Sequence, residues 1–64
     1  MAKINGETVN AEGMTVQAYL ESAGYDPARV VVERNLEIVP KSEYATTVIL
    51  AEDLLEILCF EGGG

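Results

Sequence analysis

The chain closes on three glycines, Gly62, Gly63 and Gly64, which Glu61 separates from an apolar stretch. Glycine is the residue most costly to order, so folding gives no reason to place three together at an end. Binding does. Without a Cβ, a glycine tail is the thinnest peptide available and can thread a narrow channel in another protein. It would present the Gly64 carboxylate clear of the domain and leave its carbon open to attack. The plainer reading is an unstructured end with no role.

Other residues with chemical potential are few. Cys59 is the only cysteine and there is no histidine, so neither an internal disulfide nor a structural zinc site is expected. Cys59 alternates with Leu55 and Ile57, which reads as a small buried apolar residue. Its neighbours Glu56 and Glu61 would not lower a thiol pKa. Glu52, Asp53, Glu56 and Glu61 form a loose acidic group, read as a solvated face or as a match for a basic partner. With no histidine, nucleophile or metal cluster beside them, acid–base catalysis is discounted. No catalytic side chain is assigned.

The formal net charge of −7 argues against nucleic acid and anionic membrane as partners. Lys3, Arg29, Arg34 and Lys41 are too scattered to build a basic patch. No run is long enough to span a bilayer and no leader is evident, so a cytoplasmic location is expected.

The elements that must carry the tail follow from pattern. A chain of 64 residues allows one domain with a thin core, burying only about 60% of its unfolded surface. Asn5-Gly6 predicts a type I′ hairpin turn between extended Ala2–Ile4 and Glu7–Val9. Thr15 can cap a helix, with Met14 and Tyr19 as a hydrophobic staple. Val16, Tyr19, Leu20 and Ala23 share its apolar face, Gly24 stops it, and Asp26-Pro27 turns the chain. Val30–Val32 predicts a buried strand continuing toward Arg34. Asn35 can turn the chain into Ile38-Val39, which Pro40 ends. Residues 42–45 read as a turn or short helical piece, and 47–50 as a strand or a core-filling loop. The last strand is expected over Leu54–Phe60. Leu55, Ile57 and Cys59 fall on one face; Leu54, Glu56, Leu58 and Phe60 fall on the other. One helix on one face of a mixed sheet is the economical way to bury these faces. The expected fold is α+β, a ubiquitin-like β-grasp over 1–60 with a flexible tail over 61–64. Leu58 and Phe60, on the face away from the helix, are candidate docking residues for a partner.

Several stretches together resemble the ThiS-type sulfur carrier proteins of thiamine biosynthesis, in the wider ThiS/MoaD group. These are Asn5-Gly6-Glu7, Thr15-Val16, the run Asn35-Leu36-Glu37-Ile38-Val39-Pro40-Lys41, Tyr44, and the closing glycines. The resemblance covers essentially the whole chain. It departs at Ala51-Glu52-Asp53, where an Asp-Gly turn is frequent, at Leu36, where glycine is common, and at Glu61. The resemblance implies that Gly64 carries sulfur while Gly62, Gly63 and Gly64 enter a partner's active site. It implies a ubiquitin-activating-type adenylating enzyme using ATP and Mg²⁺, a sulfur donor protein, and a thiazole synthase as acceptor. The chain itself would be a co-substrate, binding no cofactor or metal. A carrier for another acceptor such as molybdopterin, a ubiquitin-like modifier and a non-covalent β-grasp module are the alternatives.

Overall fold

The structure, a computed structural model, describes residues 1–59. Five strands form one sheet: β1 (Ala2–Ile4), β2 (Glu7–Val9), β3 (Val30–Arg34), β4 (Glu37–Val39) and β5 (Leu54–Cys59). Their spatial order is β2-β1-β5-β3-β4. The central β5 runs parallel to β1 and antiparallel to β3. Both hairpins, β1–β2 and β3–β4, are antiparallel. One helix, α1 (Val16–Ser22), accompanies this mixed sheet. The fold is a β-grasp.

Both hairpins turn on asparagine. Asn5 (φ 52°) and Gly6 (φ 84°) make the first; Asn35 (φ 52°) and Leu36 (φ 71°) make the second. Two consecutive positive φ values match the right-handed twist of the flanking strands, and asparagine tolerates the left-handed region. Leu36 at such a φ is unusual, since its Cβ crowds the backbone there.

The helix has seven residues, too few to persist alone. Its first N–H groups are satisfied from outside. Thr15 Oγ1 accepts from Ala18 at 3.0 Å. The carbonyls of Thr47 and Tyr44 accept from Val16 and Gln17, each at 2.9 Å. Residues 44–49 are thereby strapped across the helix N-terminus, and Thr15 and Val48 form an isolated bridge. This stretch is a core-filling connection rather than a sheet strand. Gly24 (φ 88°) follows the helix as the expected stop.

The core joins Ala2, Ile4, Val30, Val32, Val39, Leu55 and Ile57 from the sheet to Val16 and Leu20 from the helix, with Tyr44 and Ile49 from the strap. The Tyr44 hydroxyl donates to the Val30 carbonyl at 3.1 Å, which satisfies an otherwise apolar ring in the interior. Met14 and Tyr19 pack against this core. Ala23 does not join it: it is exposed, because the helix ends at Ser22 and Ala23 serves as the C-cap.

Cys59 also differs from expectation. It lies on the Leu55/Ile57 face opposite Val30, yet it is exposed. The β1 pairing with β5 ends at Leu55, so among the described residues only β3 flanks the sheet at Cys59.

Candidate functional site

The strand that leads toward the glycines, β5, lies inside the sheet and is held from both sides. On one side, the Asn5 N–H donates to the Leu55 carbonyl at 2.9 Å. The Asn5 side chain then takes over where β1 stops. Its Oδ1 accepts from the Ile57 N–H at 2.7 Å, and its Nδ2 donates to the Ile57 carbonyl at 3.3 Å. On the other side, Asn35 donates its N–H to the Leu54 carbonyl at 2.8 Å. Its Oδ1 accepts from the Leu54 N–H at 3.0 Å. One asparagine from each hairpin turn therefore grips β5, and together they fix its register over Leu54–Ile57.

Asp53 anchors the start of the same strand. Its carboxylate accepts from Arg34 Nε at 2.8 Å, Asn35 Nδ2 at 3.1 Å and the Leu50 N–H at 2.9 Å. Burial by itself would raise its pKa. The Leu50 N–H, the Asn35 amide and the Arg34 guanidinium outweigh burial and hold the carboxyl below the usual carboxylate range. Asp53 is only 4% exposed, so it does not belong to the solvated acidic group expected from sequence. Glu52 and Glu56 are exposed, as that reading requires. The Asp53 carboxylate instead closes the turn at Ala51-Glu52-Asp53 without a glycine.

Leu58, expected as a docking residue, lies on the sheet face away from the core and is 49% exposed. Its register partner on β3 is Val31. Leu54 and Ile38 are exposed on the same face. Phe60, Glu61, Gly62, Gly63 and Gly64 lie outside the described residues, and with them the proposed sulfur position, the second docking residue and the boundary between domain and tail.

The ThiS family model matches residues 1–64. The chain belongs to the ThiS family. It is 36% identical over 66 residues to the sulfur carrier protein ThiS of Bacillus subtilis (strain 168), covering 100% of both chains. It is 55% identical over 62 residues to a thiazole synthase of Paramagnetospirillum magneticum, covering 95% of this chain and 19% of that one. A Magnetococcus marinus thiazole synthase matches at 40% identity, again over 19% of its length. The chain thus spans about a fifth of these two relatives. The crystal structure of a ThiS thiamine biosynthesis protein from Geobacter metallireducens superposes with a TM-score of 0.77 at 31% identity, covering 98% of this chain and 97% of that one.

In the sequence Asn5 and Asn35 mark turns; their grip on β5 appears only in the folded chain. The available signal was the type of residue, since an asparagine can serve a turn and still extend a ladder through its amide. No local signal joined Arg34 to Asp53, which stand 19 positions apart.

Proposed function

We propose that this chain is a sulfur carrier of thiamine biosynthesis, whose Gly64 carboxylate is adenylated and converted to a thiocarboxylate. The observation that carries this reading is the match to the Bacillus subtilis sulfur carrier protein, which covers both chains in full. The chain supplies no catalytic side chain in this scheme. A carboxylate resists substitution because its leaving group would be oxide. A partner enzyme of the ubiquitin-activating type joins the Gly64 carboxylate to the α-phosphate of ATP, releasing pyrophosphate, with Mg²⁺ neutralising the phosphates. The acyl adenylate then carries AMP as a good leaving group. Sulfide displacing AMP gives the thiocarboxylate directly. A donor protein's persulfide gives an acyl disulfide, which two electrons from a thiol resolve to the same product.

The clamped β5 supports this role. A tail that must reach one carbon into an enclosed site gains from a base whose register is fixed, because positioning error at the strand carries through to the reacting atom. Leu58 and Phe60 would dock beside it, and Gly62, Gly63 and Gly64 would thread the channel. The thiocarboxylate, ionised at neutral pH, would then deliver sulfur to a thiazole synthase. Two relatives that carry a similar segment within a longer thiazole synthase chain support that acceptor. The test is isotope exchange between pyrophosphate and ATP by the cognate adenylating enzyme. Exchange should depend on this chain and vanish when Gly64 is removed. Exchange that persists without Gly64 would refute the assignment.

A further inference from the structure

β5 is held differently along its length. At its start it lies between two strands: Leu54 pairs with Lys3, and Leu55 with both Ile4 and Arg34. Beyond Leu55 the pairing with β3 runs on to Cys59, but the register with β1 has ended. Asn5, at φ 52°, has by then turned the backbone out of the ladder. Its side chain continues the ladder in place of the backbone. A primary amide offers an acceptor oxygen and N–H donors on one planar group, as a peptide unit does. The Asn5 amide accepts from the Ile57 N–H at 2.7 Å and donates to the Ile57 carbonyl at 3.3 Å.

This bond pair falls at a particular row of the sheet. Val39 of β4 pairs with Val32 of β3, which pairs with Ile57 of β5, and the Asn5 amide closes the row on the far side. Past it, Leu58 and Cys59 pair with Val31 and Val30 alone, because the β4 register stops at Val32. A two-stranded ribbon twists more than strands inside a sheet. The direction in which this ribbon leaves the sheet is therefore set at the row that Asn5 completes. The Tyr44 hydroxyl and the Lys41 amine hold the β3 side of the ribbon at the Val30 carbonyl. On the open side of β5, among the described residues, the Asn5 amide makes the last hydrogen bonds before the tail.

We propose that Asn5 is a positioning residue for the reaction at Gly64: its amide sets the direction in which β5 leaves the sheet, and so where the tail delivers its carboxylate. The inference rests on the sulfur-carrier reading above. Glycine gives the tail freedom rather than direction, so the aim of the carboxylate depends on the strand that carries it. Asn5 acts through Ile57 and not on the reacting atoms. Asn35 supplies the contrast. It also grips β5, but at Leu54, inside the part that β1 and β3 already hold.

The experiment compares parent, Asn5→Gly and Asn35→Gly as substrates of the cognate adenylating enzyme. Glycine keeps the positive φ of each turn and deletes only the side-chain bonds. Affinity is measured by titration, and adenylation by pyrophosphate–ATP exchange at saturating carrier, at a temperature where circular dichroism shows each variant folded. A misplacement of about 1 Å can cost about a hundredfold in rate, and a smaller swing of the strand should cost roughly tenfold. Asn5→Gly should therefore be roughly tenfold slower at saturation with affinity unchanged, the mark of an interaction that matters at the reacting step. Asn35→Gly should lose stability and keep the parental rate. Should Asn5→Gly fail to fold, Asn5→Asp carries the test. It keeps an acceptor for the Ile57 N–H, loses the donor to the Ile57 carbonyl, and should be roughly threefold slower. A parental saturated rate in the folded Asn5 variant would overturn the proposal. Equal slowing by Asn35→Gly would overturn it too, since general loosening of β5 would then suffice. Weaker binding with an unchanged saturated rate would also overturn it. A parent that supports no exchange refutes the carrier reading itself, and the role of Asn5 falls with it.

Discussion

Asp53→Ala is expected to destabilise the fold strongly although it removes no apolar core contact. The parent carboxylate accepts from three donors, at 2.8, 3.1 and 2.9 Å. Each bond to a charged acceptor contributes about 1.5–3 kcal/mol before rehydration is counted. The Arg34 side chain is 29% exposed and recovers water when its partner goes, so the net loss falls well short of the sum. About 3 kcal/mol is the expected cost. A core of this size supplies only about 3–5 kcal/mol in all. The variant would therefore sit near its unfolding midpoint, with Tm lowered by roughly 12–24 °C. Thermal and urea melts followed by circular dichroism measure this, with Glu52→Ala as an exposed control expected to change little. The parent should show the same dependence on acid. The folded pKa of Asp53 lies below its unfolded value. Its contribution is thus complete above the unfolded value of about 3.9 and is lost as pH falls through the folded one. An Asp53→Ala variant that melts within a few degrees of the parent would refute this role for the carboxylate. Equal loss of stability by parent and variant below pH 4 would refute it too.

Three further outcomes follow from the same geometry. Asn5→Gly keeps the positive φ but deletes both side-chain bonds to Ile57; it should cost about 1–2 kcal/mol and speed amide exchange at Ile57, read by NMR. Tyr44→Phe removes the buried hydroxyl bond to the Val30 carbonyl and should cost about 1 kcal/mol in urea melts with an unchanged m-value. Cys59, being exposed, should react stoichiometrically with a thiol reagent in the native protein; reaction only in denaturant would return it to the core.

The fold was legible because its local and global signals agree. Asn5-Gly6 announced a hairpin, Thr15 and Gly24 bracketed the helix, and the period-two pattern of Leu55 and Ile57 set the buried face of β5. Cys59 obeyed the pattern and still came out exposed, because burial also needs a neighbouring strand and β1 ends too soon. Ala23 matched the helical period but fell at the cap. Asp53 was hidden for a different reason. A carboxylate in an acidic stretch looks solvated until Arg34 and Asn35 are brought to it by the β3–β5 pairing, which no window along the chain can show. Leu36 is the opposite case: its departure from glycine was visible in the sequence, and the backbone angle gives that departure its physical cost.

The most direct test of the carrier role is the intact mass of the native, untagged chain before and after incubation with ATP, a sulfur source and the cognate adenylating enzyme. The mass should rise by the exchange of one oxygen for sulfur, localised to Gly64 and abolished by its deletion. An unchanged mass, under conditions that charge a known carrier, would contradict it.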